Sequence, residues 1–347
     1  MSLEKFFKLV DCLVFPVGQY ATEMLSPLSL PLKSFQSEKS LLKAWESFHL
    51  EKINQRACRL FSSVQKKTSR LAVLRELGRY PVMIKSLIQS IMYKRSIDMH
   101  QSTSLLGKAV QEMKELDTSS SWLGRVNNIK QLLGIPEYPQ YWSDERVKRN
   151  IVHTFQSKFE LFFKDEIGSE NIGKDGFDHN KLRFYRTFKS CFKPEFYIEN
   201  VQNRNQRAWL SRLRTSSHRL EVERGRYRGI ALGDRLCRYC PEKEIDDENH
   251  FLHNCSIFVN ERENLFTEME MSLPGFKLLS ETDKVKSMLC PATTKTAKLI
   301  NRFIETMFKT RDKIDKESIE KVQNQGADLN ISDSDSVYQS DSSDDEN

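Results

Sequence analysis

The stretch "RLCRYCPEKEIDDENHFLHNC", residues 235 to 255, constrains the fold of this chain more than any other. Three of the seven cysteines lie here within nineteen residues, beside two histidines. Cys237 and Cys240 are spaced C-x2-C, at which a tight turn aims two thiolates at one metal ion about 2.3 Å away. His250 and Cys255 are spaced H-x4-C, which one helical turn and its approach can bring to the same point. Three thiolates and an imidazole complete a tetrahedron with no open position, the mark of a structural rather than a catalytic zinc site. His253 competes for the imidazole position, but it stands two residues from Cys255, where helical geometry turns it away. The expectation is that Cys237, Cys240, His250 and Cys255 hold Zn2+, and that Phe251, Leu252 and Phe258 form the small core that folds on the metal.

Between the two halves of this element lie Glu242, Glu244, Asp246, Asp247 and Glu248. A two-metal centre needs carboxylates placed rigidly on strands, with the ions about 3.5 to 4 Å apart. No apolar strand pattern flanks these acids, so they are expected to form a solvated loop.

Immediately upstream, eight arginines (Arg204, Arg207, Arg212, Arg214, Arg219, Arg224, Arg226, Arg228) and only two glutamates fall within residues 204 to 228, with no lysine and with Trp209 and Tyr227 interleaved. Guanidinium groups fork onto phosphates and stack on bases, so an arginine tract with aromatics suits nucleic acid. Six such contacts would give a log-log salt slope of about −4 on single strands or −5 on duplex. Trp209, Tyr227 and Tyr239 are the candidates for base stacking. The competing reading is that several of these arginines pair with acids elsewhere in the fold.

The net charge of +6 conceals a division: residues 321 to 347 carry −6 and residues 1 to 320 carry +12. A basic body favours an anionic partner, nucleic acid before an acidic membrane. The acidic end "DLNISDSDSVYQSDSSDDEN" is expected to stay disordered and to offer a surface for a protein partner. Seven scattered cysteines are no disulfide framework and fit a reducing compartment, nucleus or cytoplasm. No apolar run reaches the length of a membrane span. The N-terminal "FFKLVDCLVFPV", interrupted by Asp11, reads as a buried helix.

Helical periodicity dominates the rest. Leu42, Trp45, Phe48, Ile53, Ala57 and Leu60 mark one amphipathic helix, and Val147, Ile151, Phe155, Phe159 and Phe162 another, opened by Ser143 as N-cap. Leu299, Ile300, Phe303, Ile304, Met307 and Phe308 stripe a last helix. Breaks are expected at Gly78 and Pro81, across residues 134 to 142, and at the polar, glycine-rich linker 168 to 178. The fold class is therefore mainly α. Helical bundles over 1–167 and 179–234 would be joined by that linker and followed by a zinc knuckle at 235–260, helices over 261–320 and the disordered acidic tail.

In its order of features the chain resembles the C-terminal region of the polyprotein of non-LTR retrotransposons, downstream of the reverse transcriptase palm. The segments that carry this are "LRTSSHRLEVERGRYRGI", "RLCRYC" and "ENHFLHNCSIF", with "ELGRYPV" and its helical surroundings resembling the thumb and connector. The resemblance implies metal ligation by Cys237, Cys240, His250 and Cys255, and nucleic-acid contacts from the arginine tract. The palm's Asp-Asp motif and the endonuclease are missing: the Asp-Asp pairs of this sequence, Asp246-Asp247 and Asp344-Asp345, lie in the zinc loop and the tail. The expectation is a non-enzymatic, zinc-stabilised protein that binds RNA or DNA, single strands favoured, with a zinc-containing protein-interaction adaptor as the alternative.

Overall fold

The computed structural model describes residues 1–99, 105–115 and 119–324. Helix accounts for 68% of the chain and no strand occurs among the described residues, so the fold is mainly α. The disorder expected of residues 325 to 347, the greater part of the acidic tail, lies outside the described residues; the last helix, Thr294–Asn324, already takes in 321 to 324.

Two units are distinguished, Met1–Ile304 and Glu305–Asn347. The polar segment 168 to 178 is not the boundary between them. It forms a small turn, with the Gly173 amide donating to the Phe177 carbonyl at 2.9 Å, inside the first unit.

The helix Asp144–Gly168 supplies the central apolar wall of that unit, starting at Ser143, whose hydroxyl accepts from the Arg146 amide. Val147, Ile151, Phe155, Phe159, Phe162 and Phe163 are all buried on it, and Trp45 meets Phe163 edge to face. Each such side chain contributes roughly 1.5 to 3 kcal/mol by leaving water.

Two expected helices differ. The stripe from Leu42 to Leu60 is not one face of one helix: the chain turns at Phe48, and in the helix Glu51–Ser62 both Ile53 and Leu60 are exposed. That helix buries Glu51, Asn54, Gln55, Cys58 and Phe61 instead, because Asn54 joins a polar network with Glu51 and Arg79. The N-terminal segment is helical but only partly covered. Phe7 and Phe15 are buried, while Leu13 and Val17 are 67% and 81% exposed, since a run apolar on every side can press only one side against a core.

The "ELGRYPV" segment is the structural hub. Gly78 takes a left-handed φ of +58° against Pro194, where a Cβ would lie 2.4 Å from the proline Cδ. Next to it the Glu76 carboxylate, 1% exposed, receives two hydrogen bonds from the fully buried Arg214, at 2.9 and 2.8 Å, and one from the Tyr197 hydroxyl at 2.7 Å. Glu195 approaches the same guanidinium at 3.0 Å. Arg79 reaches Asp11 and Asn54. The hub thus ties together residues from the first eighty positions and from the arginine tract. A cavity of about 1010 Å³, lined by Phe7, Phe15, Gln19, Arg79 and Ile88 among others, opens beside it.

Candidate metal centre

Cys237 and Cys240 lie on a short turn that returns on itself. The Cys237 amide donates to the Glu244 carbonyl at 2.7 Å and the Asp246 amide to the Arg235 carbonyl at 2.8 Å, a single antiparallel bridge pairing Leu236 with Ile245. Lys243 makes the reversal with a φ of 50°. The second pair of ligands sits on a widened helical turn, His250–Asn254, in which the Cys255 amide donates to the His250 carbonyl at 2.8 Å. This five-residue closure, a π-turn of the kind that often marks functional sites, spans the H-x4-C separation.

All four side chains are buried, and their ligand atoms lie within 4.8 Å of one another. The Cys240 sulfur is 3.4 Å from His250 Nε2. A tetrahedral ion with sulfurs at about 2.3 Å and nitrogen at about 2.0 Å would set sulfur to nitrogen edges at roughly 3.5 Å, so the arrangement suits one metal ion. His250 Nδ1 meets the Glu244 carboxylate at 2.9 Å, which fixes the ring and turns Nε2 to the sulfurs, the usual support for a metal-bound imidazole. Burial pulls the His250 imidazole down, but hydrogen bonds with Cys237 and Glu244 outweigh it and leave the group raised. Burial pushes the Cys240 thiol up to about 11, so a thiolate here needs a cation beside it. His253 stays out of the cluster; its ring packs on Phe266 instead.

The element is not a free-standing knuckle. Phe251, Leu252 and Phe258 are fully buried, and the turn His250–Asn254 that carries two of them packs against the helix Glu281–Leu289, well beyond residue 260. Buried Arg262 binds the Leu252 and Cys255 carbonyls at 3.1 and 2.6 Å, clamping the ligand turn from the helix Val259–Ser272. On the other side Arg235 donates to the Val222 carbonyl at 2.8 Å.

Nor is the acidic loop solvated throughout. Asp246 is 1% exposed and accepts the Glu221 amide at 2.9 Å, Asp247 accepts the His250 amide at 2.8 Å, and Glu248, 2% exposed, meets the His218 ring at 3.0 Å. These carboxylates serve as acceptors for a buried backbone and a buried ring. Sequence reasoning missed the burial of Asp246 and Glu248 because their partners at 221 and 218 lie outside the loop.

The arginine tract divides by burial. Arg214 is the hub cation, and Arg207 is 2% exposed, with its guanidinium 4.2 Å from the Phe61 ring centre and a hydrogen bond to the Phe61 carbonyl at 3.1 Å. Neither presents its charge to a phosphate. Arg224 and Arg228 pair with Glu221, and Arg226 with Glu223 at 3.2 Å. Arg204 and Arg228 are exposed, while Arg212, Arg219 and Trp209 are half-buried. Tyr227 keeps 50% of its surface and has Lys67 over its ring at 4.9 Å. Among the described residues no helix is long and apolar enough to cross a membrane. No protein-family model, curated protein or solved structure matches this chain.

Proposed function

We propose that this chain is a non-enzymatic, zinc-stabilised, intracellular nucleic-acid-binding protein, related to the C-terminal region of a non-LTR retrotransposon polyprotein. The observation that carries this reading is the buried set Cys237, Cys240, His250 and Cys255, whose ligand atoms gather within 4.8 Å of one another next to a cationic segment. Three sulfurs and a nitrogen favour Zn2+ over the hard, oxygen-seeking Mg2+ and Ca2+. The ion would cross-link the 237–240 turn to the 250–255 turn and so brace the core that supports residues 204 to 228. Asp246 and Asp247 are engaged as backbone acceptors, which argues against a metal-binding carboxylate pair.

With Arg207 and Arg214 withdrawn into the interior and Arg224, Arg226 and Arg228 paired with Glu221 and Glu223, at most three of the eight arginines remain for phosphates, and a salt slope from the tract no steeper than about −2 on single strands fits better. The test is a metal determination on protein purified under reducing conditions, followed by a mobility-shift titration at two salt concentrations, with and without chelator. One zinc per chain, and binding that weakens with salt and with chelation, is the expected result. Absence of metal, or loss of one ligand by Cys237→Ser without loss of zinc, rules out the ligand set.

A further inference from the structure

Two segments without a single acidic residue meet in the first unit. Residues 52 to 75 carry seven cations and residues 200 to 220 carry five arginines, and neither contains Asp or Glu. Their meeting line is the loop Ser63 to Ser69, "SVQKKTS", which follows the helix Glu51–Ser62.

The loop is held at both ends. Ser63 has a left-handed φ of 60°; its hydroxyl accepts from Arg204 Nε at 2.6 Å and its carbonyl from Arg212 Nε at 2.9 Å. Further on, Ser217 Oγ bonds the Gln65 amide at 3.0 Å and the Thr68 hydroxyl at 2.8 Å. Between these anchors Lys66 and Lys67 are exposed, and Lys67 leans over the half-exposed Tyr227 ring. The Lys67 carbonyl in turn receives Lys181 at 3.3 Å.

Among the described residues, Arg204, Arg212, Lys66 and Lys67 form no ion pair. Both arginines spend Nε on Ser63, the Arg212 guanidinium also lies over the Trp209 ring at 4.9 Å, and among the described residues no hydrogen bond engages the terminal nitrogens of either. The bland role, capping the carbonyl end of a helix, accounts for Arg212 Nε but not for four unneutralised cations along one pinned loop. Burial, with Arg204 and Arg219 nearby, also lowers the Arg212 guanidinium.

We propose that the loop 63–69 and the arginine segment together form a track for a single-stranded nucleic acid, with Arg204 and Arg212 on one phosphate, Lys66 and Lys67 on the next, and Tyr227 stacked on a base. The loop closes on a turn, the Thr68 amide donating to the Gln65 carbonyl at 3.0 Å, which sets Lys66 and Lys67 side by side at its corners. A half-exposed ring flanked by a cation is a stacking platform open to unpaired bases and closed to a duplex, whose bases are already stacked. This inference rests on the nucleic-acid reading above and adds to it the residues of the first eighty positions.

The experiment uses the zinc-loaded full chain, fluorescence anisotropy, a labelled oligothymidylate and a labelled oligouridylate, and a salt series. The variants are Arg204→Gln, the double change Lys66→Gln with Lys67→Gln, Tyr227→Leu and Tyr227→Phe, with Lys148→Gln as a control cation on the helix Asp144–Gly168; each is checked for unchanged zinc content and melting temperature. Each lost phosphate contact is expected to flatten the slope by about 0.7 on single strands. Tyr227→Leu should weaken binding at least about fivefold, and Tyr227→Phe should restore it. If the wild type binds but these variants behave like Lys148→Gln, or if Tyr227 matters equally for a duplex of the same length, the track is wrong while the broader reading stands. If the wild type fails to bind either oligonucleotide at low salt, both fall.

Discussion

Replacing Arg214 by Met separates a structural arginine from a nucleic-acid contact within one tract. Arg214 is fully buried, binds Glu76 twice and lies 3.0 Å from Glu195. The methionine nearly matches the volume but leaves the Glu76 carboxylate buried without its cation. Breaking such a pair from one side costs about 3 to 5 kcal/mol, a large fraction of the roughly 5 to 15 kcal/mol by which domains are stable. Urea unfolding followed by circular dichroism reads this as a lower midpoint at unchanged slope.

The loss also has a pH signature. Burial pushes the Glu76 carboxyl up, but Arg214, Lys189 and the Tyr197 hydroxyl more than offset it, so the group sits below its ordinary value of 4.5. A depressed acid contributes its stability above the unfolded value and loses it as pH falls through the folded one. The gap between wild type and Arg214→Met should therefore be widest at neutral pH and narrow below about pH 4. The double change Glu76→Leu with Arg214→Met removes both charges and should recover most of the loss. A single variant as stable as wild type, or one that loses oligonucleotide affinity at full stability, would refute the hub.

Three further outcomes are expected. Burial pushes the Glu51 carboxyl up to about 7, against its hydrogen bonds from Asn54 and the Val82 amide, so its stabilising protonated form is complete below 4.5 and lost as pH rises through 7. Relative to wild type, Glu51→Gln should gain about 3 kcal/mol between pH 4.5 and 8, whatever its offset, in denaturant titrations at each pH. Glu244→Gln weakens the support of the His250 ring and should lower metal affinity roughly 10- to 100-fold in a chelator competition while leaving the helical content unchanged. Gly78→Ala combines a left-handed φ with a Cβ 2.6 Å from the Pro194 backbone nitrogen and should destabilise by more than about 1 kcal/mol in thermal unfolding.

Much of the candidate metal centre was legible because its information is local. The C-x2-C and H-x4-C spacings each lie within one turn of chain, and the choice of His250 over His253 followed from the same local geometry that the π-turn now shows. What surrounds the centre was not legible. Arg262, Arg235 and the helix Glu281–Leu289 reach it from other segments, and Asp246 and Glu248 of its loop are buried by partners at 221 and 218.

The same division runs through the whole chain. Helical periodicity, the Ser143 cap and the breaks at Gly78 and Gly134 are properties of a few consecutive residues, so the sequence alone determined a helical fold and the apolar face of Asp144–Gly168. It also determined that a tract of eight arginines exists. Only the tertiary structure decided which of them remain outside: Arg214 meets Glu76 across 138 positions and Arg207 meets Phe61 across 146, while Arg204 and Arg212 converge on Ser63. A guanidinium carries the same charge in any of these places. Whether that charge is spent on a buried carboxylate, on a helix end or kept for an anion depends on partners distant in sequence, which spacing along the chain does not encode.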